Sequence, residues 1–145
     1  VFHLDGDSAP GLEVIQGFSP GGFNRYRPGA VAMPSKDEAY LGTEDGILQS
    51  WRRVPDGRWY LRFEHRLTDN NTSAQFPAPV ARLAVSPSGR TLAVMLFNAA
   101  NLGSILIIDT ETGAIRTRLD EHVSDICFLD EHTLATSGIR LWTLD

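Results

Sequence analysis

The sequence of 145 residues contains a single cysteine, Cys127, and a single lysine, Lys36. One cysteine excludes an intrachain disulfide and favours a protein of a reducing compartment. Because Cys127 lies in an apolar stretch, we expect it to be a small buried hydrophobic side chain. Arginine supplies the rest of the positive charge, and no basic cluster is present.

Two further features are missing, a net positive charge and a long apolar run. The net charge is −5, so electrostatic capture of nucleic acid is not expected. No apolar stretch approaches the ~20 residues that a membrane-spanning helix needs. We therefore predict an intracellular protein, cytoplasmic or nuclear, without direct nucleic-acid or membrane partners. Because the sequence opens with Val1 inside a strand-like stretch, we expect it to belong to a longer chain.

The most regular part of the sequence is residues 80–119, where four short β-branched or apolar runs alternate with turn residues. The first run ends at Pro87, and a Thr-Glu-Thr-Gly connection ending at Gly113 joins the last two. Runs of this length, separated by Pro, Ser, Gly or Asp, favour strands over helix. Four antiparallel strands in about 40 residues are typical of one blade of a β-propeller.

The whole chain is predicted to be all-β, because no segment keeps a helical period for three turns. The predicted strands are 1–4, 12–18, 30–33, 38–43, 47–53, 59–66, 80–86, 91–97, 104–109, 114–119, 123–129, 133–137 and 139–144. Their order recurs along the chain, and Pro34, Pro87 and Asp130 each follow the first strand of a unit. Irregular loops on a constant four-strand unit are compatible with a repeat protein.

Two segments resemble the repeats of the WD40 β-propellers. Asp45 precedes Trp51 by six residues in the stretch GTEDGILQSW, which is the spacing in the family's usual turn. Near the end of the chain, Glu121-His122 stands where the family has Gly-His, and Thr136 and Trp142 stand at its Ser/Thr and Trp positions. In the family, these residue types form a buried hydrogen-bond chain within a blade.

The resemblance implies a structural blade motif, although no unit keeps all four residue types. It comprises Asp45, Trp51, Asp109, His122, Thr136 and Trp142. Leu41 stands at one Ser/Thr position, Ile108 replaces one tryptophan, and the last unit is expected to have lost its aspartate through a shortened turn at Gly138. A different antiparallel meander, such as a sandwich, is the alternative fold.

The expected domain is a partial WD40-like propeller over residues 1–145, with four-stranded antiparallel blades. Its blade remnants are 1–18, 28–67, 79–119 and 122–145, which amount to a little over three blades. Propellers usually have about four to eight blades. We therefore expect the C-terminal half of a larger ring, whose remaining blades come from the same protein or another chain. Oligomerisation of a half-propeller is the second alternative.

No catalytic, cofactor or metal site is predicted. Residues 17–21 match the Gly-x-Ser-x-Gly nucleophile motif, but the glycine-rich stretch that follows is not the helix that the motif requires. The four histidines lack metal-ligand spacing relative to one another and to Cys127. His122 is instead expected to be the hydrogen-bonding residue of its blade.

Two segments are candidates for contact with a partner, since interfaces are enriched in aromatic residues and arginine. The first is the loop 19–29 and the second is the strand 59–66. The candidate residues are Phe23, Arg25, Tyr26, Arg27, Trp59 and Arg62. The alternative for the aromatic residues is packing between neighbouring blades.

The predicted function is a non-catalytic propeller for protein–protein interaction. It would be a scaffold in a multi-protein complex or the sensing or interaction domain of a larger protein. A propeller enzyme or cofactor-binding propeller is the first alternative, and its site would use Arg82, Ser124 and Asp125 on the inner strands. A ligand- or glycan-binding repeat protein is the second.

Overall fold

The computed structural model of the chain describes residues 28–67, 78–97, 104–121 and 123–145. These residues form strands and turns without a helix, so none of them forms a helix that could cross a membrane. The predicted strands 1–4 and 12–18 and most of the loop 19–29 lie outside this description. The strands are β1 (Pro28–Ser35), β2 (Glu38–Thr43), β3 (Ile47–Arg53), β4 (Trp59–Arg66), β5 (Val80–Val85), β6 (Thr91–Leu96), β7 (Ser104–Asp109), β8 (Ile115–Asp120), β9 (Ile126–Phe128), β10 (Thr133–Thr136) and β11 (Arg140–Thr143).

The strands form three antiparallel sheets, each of which is built from strands that follow one another in the chain. The first sheet is β1-β2-β3-β4, the second is β5-β6-β7-β8, and the third is β9-β10-β11. Strand β5 packs against β1 and β2 on one side and against β9 on the other. The first strands of the three sheets are therefore neighbours, as in the inner ring of a propeller. The all-β prediction and the four-stranded unit are confirmed.

Most predicted strand boundaries agree with the structure to within two residues, but β9 is much shorter than predicted. It covers three residues instead of 123–129. The hydroxyl of Ser137 accepts hydrogen bonds from the backbone N–H groups of Ser124 and Asp125, at 2.9 and 3.2 Å. The Ser137 side chain thus occupies backbone N–H groups that a longer β9 would use for hydrogen bonds to a neighbouring strand.

The two central strands of the second sheet, β6 and β7, are buried on both faces, which explains their near-continuous apolar sequences. All six residues of β6 are buried, and they alternate between two cores because successive strand residues point to opposite faces. Leu92, Val94 and Leu96 join the core shared with the first sheet. Ala93 and Met95 join the core shared with the third sheet.

The first and second sheets approach so closely that glycine is required at one contact. A Cβ atom at Gly42 would lie 2.2 Å from Cγ1 of Val80. Real non-bonded carbon atoms pack at about 3.5–4.0 Å. Gly42 on β2 therefore allows Val80, the first residue of β5, to enter the core between the two sheets.

Cys127 is exposed, so the prediction of a buried cysteine is wrong. It pairs with Ala135, which pairs with Leu141, on the face of the third sheet that points away from the second. Ile126, Leu134 and Trp142 take the alternate positions and pack towards the second sheet. The apolar sequence around Cys127 thus reflects burial of one face only.

Candidate functional site

The third sheet contains a buried hydrogen-bond chain centred on Glu121. The indole Nε1–H of Trp142 donates to Oε2 of Glu121 at 2.5 Å, and the hydroxyl of Thr136 donates to Oε1 at 3.0 Å. The guanidinium of Arg140 lies 3.7 Å from the same carboxylate, whose side chain is only 6% exposed. One carboxylate therefore joins β10 to β11 and offsets its own burial through three polar partners.

Sequence reasoning assigned the hydrogen-bonding role to His122 and gave none to Glu121. His122 lies outside the described residues, so its role stays a prediction. The sequence did contain a sign of the role of Glu121. This acidic residue directly precedes the unit that supplies Thr136 and Trp142. A carboxylate has two acceptor oxygens, which lets Glu121 serve both donors at once.

The indole N–H of Trp51 in the first sheet has a different kind of acceptor. The indole Nε1–H of Trp51 donates to Oε1 of Gln49 at 3.1 Å, and Nε2 of Gln49 donates to Glu64 at 2.7 Å. Trp51 lies opposite Ala39, as Trp142 lies opposite Leu134, so Leu41 is equivalent in register to Thr136. The partner of the Trp51 indole therefore lies on β3 itself, whereas the partner of the Trp142 indole, Glu121, lies before the third sheet.

The second sheet has no polar chain at the equivalent positions. Ile108 lies opposite Leu92, and the position equivalent to Thr136 is occupied by Val94. Both Ile108 and Val94 are fully buried in the core shared with the first sheet. Apolar packing has therefore replaced the hydrogen bonds in the sheet that is covered on both faces.

The hairpin of the third sheet is shorter than that of the first, but its turn is not. Residues 44–46 separate β2 from β3, and residues 137–139 separate β10 from β11, so both connections have three residues. The prediction of a shortened turn at Gly138 is therefore wrong. The paired strands have lost length instead, since Trp51 is the fifth residue of β3 and Trp142 the third of β11.

The two motif aspartates occupy different turns. Asp45 is exposed in the β2–β3 turn, where Thr43 accepts the hydrogen bonds of Gly46 and Ile47. Asp109 caps the β7–β8 turn by accepting from the backbone N–H groups of Glu111 and Thr112, at 3.0 and 2.9 Å. The hydrogen bond from Thr112 N–H is the main reason that the pKa of Asp109 lies below its ordinary value.

The candidate contact residues of the first sheet are less exposed than the strand pattern suggested. Trp59 is half-buried, and the Arg62 side chain is only 14% exposed. Tyr60 and Leu61 are the exposed apolar residues of β4, at 43% and 42%. Phe23, Arg25, Tyr26 and Arg27 lie outside the described residues, so their contact role stays a prediction.

Polar contacts also fasten neighbouring sheets to one another. The carboxylate of Glu131 accepts hydrogen bonds from the Ser86 hydroxyl at 3.0 Å and from the backbone N–H and hydroxyl of Ser88 at 2.9 and 2.5 Å. On the other side of the second sheet, His65 hydrogen-bonds to the carbonyl of Gly113. The second sheet is thus held to both neighbours at its turns.

The three residues of the alternative catalytic site, Arg82, Ser124 and Asp125, form local polar contacts. Arg82 forms an exposed ion pair with Asp125 at 3.7 Å, and the Ser124 hydroxyl donates to Ser137. Among the described residues, no group of three or more His, Cys, Asp or Glu side chains is placed to hold a metal ion.

The outer faces of the first and third sheets expose apolar side chains. Leu61 pairs with Trp51 and Val31 with Leu41 on the first sheet. Val31 is 62% exposed, and Leu141 on the third sheet is 67% exposed. Both faces point away from the second sheet, whose own faces are covered.

Comparisons with known proteins complement this geometry. No family model matches the chain. The chain is 30% identical over 105 residues to human Rho guanine nucleotide exchange factor 10, which corresponds to 71% of this chain and 6% of that protein.

Three solved structures are similar to this chain, and each covers 77% of it. A structure of U3-55K is 19% identical with a TM-score of 0.59, over 33% of its chain. The RRP9 WD40 repeats are 18% identical with a TM-score of 0.58, over 32% of that chain. The WD40 β-propeller domain of Doa1 is 13% identical with a TM-score of 0.52, over 34%. The chain thus spans about a third of the length of these structures.

Proposed function

Because the chain has a divergent WD40-like propeller fold, we propose that residues 1–145 contribute to a non-catalytic propeller for protein–protein contact. The role is that of a scaffold in a multi-protein complex or of the interaction or sensing domain of a larger protein. The similarity to a small part of human Rho guanine nucleotide exchange factor 10 supports the role as a domain of a larger protein. An intracellular location, cytoplasmic or nuclear, remains a prediction that rests on the single cysteine.

The observation that carries the proposal is the contrast between covered and uncovered sheet faces. The central strands β6 and β7 of the second sheet bury both faces, whereas Val31, Leu61 and Leu141 expose apolar surface on the outer faces of the neighbouring sheets. Exposed apolar patches mark interaction sites on soluble proteins. Apolar surfaces of further blades, from the same protein or another chain, would cover these faces. Apolar surfaces of separate protein partners would do the same.

The tight packing of the three sheets against one another also favours a role as a binding surface. Two cores and the Glu131 contacts hold the second sheet between its neighbours. A surface that is ordered before binding loses little conformational freedom when a partner arrives. Affinity is then expected to depend on a few apolar and aromatic side chains.

The test is site-specific photo-crosslinking in the complete protein, with the photoreactive amino acid at position 129. Leu129 is 59% exposed beside the outer face of the third sheet. We expect one defined protein segment, from this protein or a partner, to be crosslinked in wild type and lost in Leu141→Asp. Ile115→Asp is the matched control, because Ile115 is 48% exposed on β8.

Two results would contradict the proposal. Crosslinking that is equally strong in Leu141→Asp and wild type would show that the exposed face is not the contact surface. Substrate turnover that persists in a preparation free of other enzymes, and that needs Arg82 or Asp125, would favour the catalytic alternative. Circular dichroism and thermal unfolding of each variant establish that the fold is retained.

A further inference from the structure

Ser88 connects the second sheet to the third through hydrogen bonds to one carboxylate. It lies in the turn between β5 and β6, and its hydroxyl and backbone N–H donate to Glu131 at 2.5 and 2.9 Å. Glu131 lies in the turn between β9 and β10. The buried hydroxyl of Ser86 donates to the same carboxylate at 3.0 Å. The contact between these two turns therefore depends on donors from residues 86 and 88.

Ser88 is open to solvent, whereas Ser86 is only 3% exposed. Apart from the chain neighbours of Gly89, no atom lies within 4 Å of the position that a Cβ on this next residue would take. Ser88 also borders a cavity of about 680 Å³ between the second and third sheets. Cavities of about 300–1,000 Å³ hold whole small molecules. The surroundings of the Ser88 hydroxyl therefore have room for an added phosphoryl group.

Charges of both signs surround the Ser88 hydroxyl. Arg90 and Arg116 line the same cavity as Ser88 and Glu131, and Arg116 is paired with Asp109 at 2.8 Å. The backbone N–H of Arg90 donates to the Ser88 hydroxyl at 3.3 Å. Hydrogen bonds from Ser88 hold the pKa of Glu131 below its ordinary value, so this carboxylate is charged near neutral pH. A negative group at position 88 would therefore face a like charge at Glu131 and a cation at Arg90.

We propose that Ser88 is a phosphorylation site, and that its modification releases Glu131 and loosens the contact between the second and third sheets. The phosphoryl donor is a nucleoside triphosphate bound to a protein kinase. Oγ of Ser88 forms a bond to the γ-phosphorus while the bond from that phosphorus to the β–γ bridging oxygen breaks. Nucleoside diphosphate leaves, and the hydroxyl proton passes to a carboxylate base of the kinase.

Phosphorylation converts the Ser88 side chain from a hydrogen-bond donor into an anion. A phosphoserine carries a charge of about −1.5 to −2 near pH 7 and has three acceptor oxygens. Glu131 loses the hydroxyl donor and is repelled by the new charge. Arg90 lies on the same cavity and becomes the partner of the phosphate, because a guanidinium binds phosphate oxygens in pairs. This switch concerns the contact between two sheets and does not rest on the proposed function.

The first experiment determines whether Ser88 is modified. The complete protein is purified, in the presence of phosphatase inhibitors, from the cells that naturally produce it, and its peptides are analysed by mass spectrometry. We expect a phosphorylated peptide whose fragment ions place the phosphate on Ser88 and which disappears after phosphatase treatment. Absence of phosphate from Ser88 in preparations made with the inhibitors would overturn the proposal.

The second experiment measures the contact by hydrogen exchange in the complete protein. Phosphoserine is introduced at position 88 by genetic-code expansion. The same residue at position 35 is the matched control, because Ser35 is exposed at the end of β1 in the first sheet. We expect the hydrogen-bonded amides of Leu129 and His132 in the β9–β10 turn to exchange about tenfold faster with phosphoserine at position 88. The amides of β2 should keep their exchange rates, which separates local loosening from unfolding of the whole protein.

Two substitutions test the cause of the loosening. In Glu131→Gln, phosphoserine at position 88 should accelerate exchange less than in wild type, because the repelled charge is absent. In Arg90→Ala the acceleration should be larger, because the phosphate has lost its cationic partner. Ser88→Ala gives the part of the effect that comes from the lost hydrogen bond alone. The switch is overturned if phosphoserine at position 88 leaves exchange unchanged, if position 35 gives the same change, or if Glu131→Gln leaves the effect undiminished.

Discussion

The carboxylate of Glu121 accepts a hydrogen bond from the indole of Trp142 across 21 residues of sequence. The same carboxylate accepts from Thr136, so residues from one turn and two strands share a single buried charge. Breaking a buried polar network is costly, because each remaining partner keeps its desolvation penalty without its hydrogen bond. The stability of the third sheet is therefore expected to be sensitive to substitution of Glu121.

Glu121→Ala is expected to lower the free energy of unfolding by about 2–4 kcal/mol. The substitution leaves the Thr136 hydroxyl and the Trp142 indole N–H buried without their acceptor. Urea unfolding of the complete protein, followed by tryptophan fluorescence, measures the change. Glu111→Ala is the control, since Glu111 is exposed in the β7–β8 turn and should change stability by less than about 0.5 kcal/mol. Equal effects of the two substitutions would contradict the role of Glu121.

Glu131 is expected to give the contact between the second and third sheets a pH dependence. Hydrogen bonds from the Ser88 side chain and backbone, followed by one from Ser86, lower the pKa of Glu131 from its ordinary value of 4.5. A lowered folded-state pKa adds stability above the unfolded-state pKa, and this stability is lost as pH falls through the folded-state value. The stability difference between wild type and Glu131→Gln should therefore be largest near neutral pH and shrink below about pH 4.5.

The measurement is urea unfolding of both proteins at a series of pH values. Asp37→Asn provides a control, because Asp37 is a turn acid in the first sheet and lies away from this contact. A difference between wild type and Glu131→Gln that stays constant with pH would contradict the assignment.

The local chemistry of turns and strands was predictable from the sequence, because Pro, Gly and Asp mark the turns around β-branched runs. The strands β2, β3, β4 and β7 have the predicted boundaries. Double-sided burial of β6 was also implicit in its continuous apolar run. These properties depend on residues that are neighbours in sequence.

The candidate sites were much less predictable, because they depend on the register between separate strands. Gln49 and Glu64 could be recognised as partners only after β3 was paired with β4. A cavity between the first two sheets joins Arg62 of the first sheet to Arg90 of the second, and no local pattern brings these positions together. Arg62 was predicted to be a contact residue, but the inward direction of its side chain required the structure.

Gly42→Ala is expected to lower the free energy of unfolding by about 1–3 kcal/mol, the usual cost of overpacking. The new methyl group would meet Val80, whose Cβ and Cγ1 atoms lie 2.5 and 2.2 Å from its position. Val80→Ala removes the nearer group, so the double variant should be less destabilised than the sum of the single variants predicts. A double-mutant cycle by urea unfolding measures this coupling, and strictly additive effects would contradict the close contact.

Ile139→Gly is expected to raise the free energy of unfolding by about 0.5–1 kcal/mol. Ile139 has a φ of +59° and is 98% exposed in the β10–β11 turn. Gly46 holds the same third position of the β2–β3 turn with a φ of +76°, and both residues donate a backbone hydrogen bond to the preceding threonine carbonyl. A left-handed conformation costs a non-glycine residue about 1–2 kcal/mol, which exceeds the ~0.5–1 kcal/mol entropic cost of glycine.

Ile115→Gly is the matched comparison, because Ile115 is an exposed isoleucine at the start of strand β8 and its φ is not positive. Glycine loses more conformational freedom on folding than isoleucine, so this variant should lose stability while Ile139→Gly gains it. Thermal unfolding of the two variants beside wild type decides the sign. If both variants lose stability by similar amounts, backbone strain at Ile139 does not limit the stability of the third sheet.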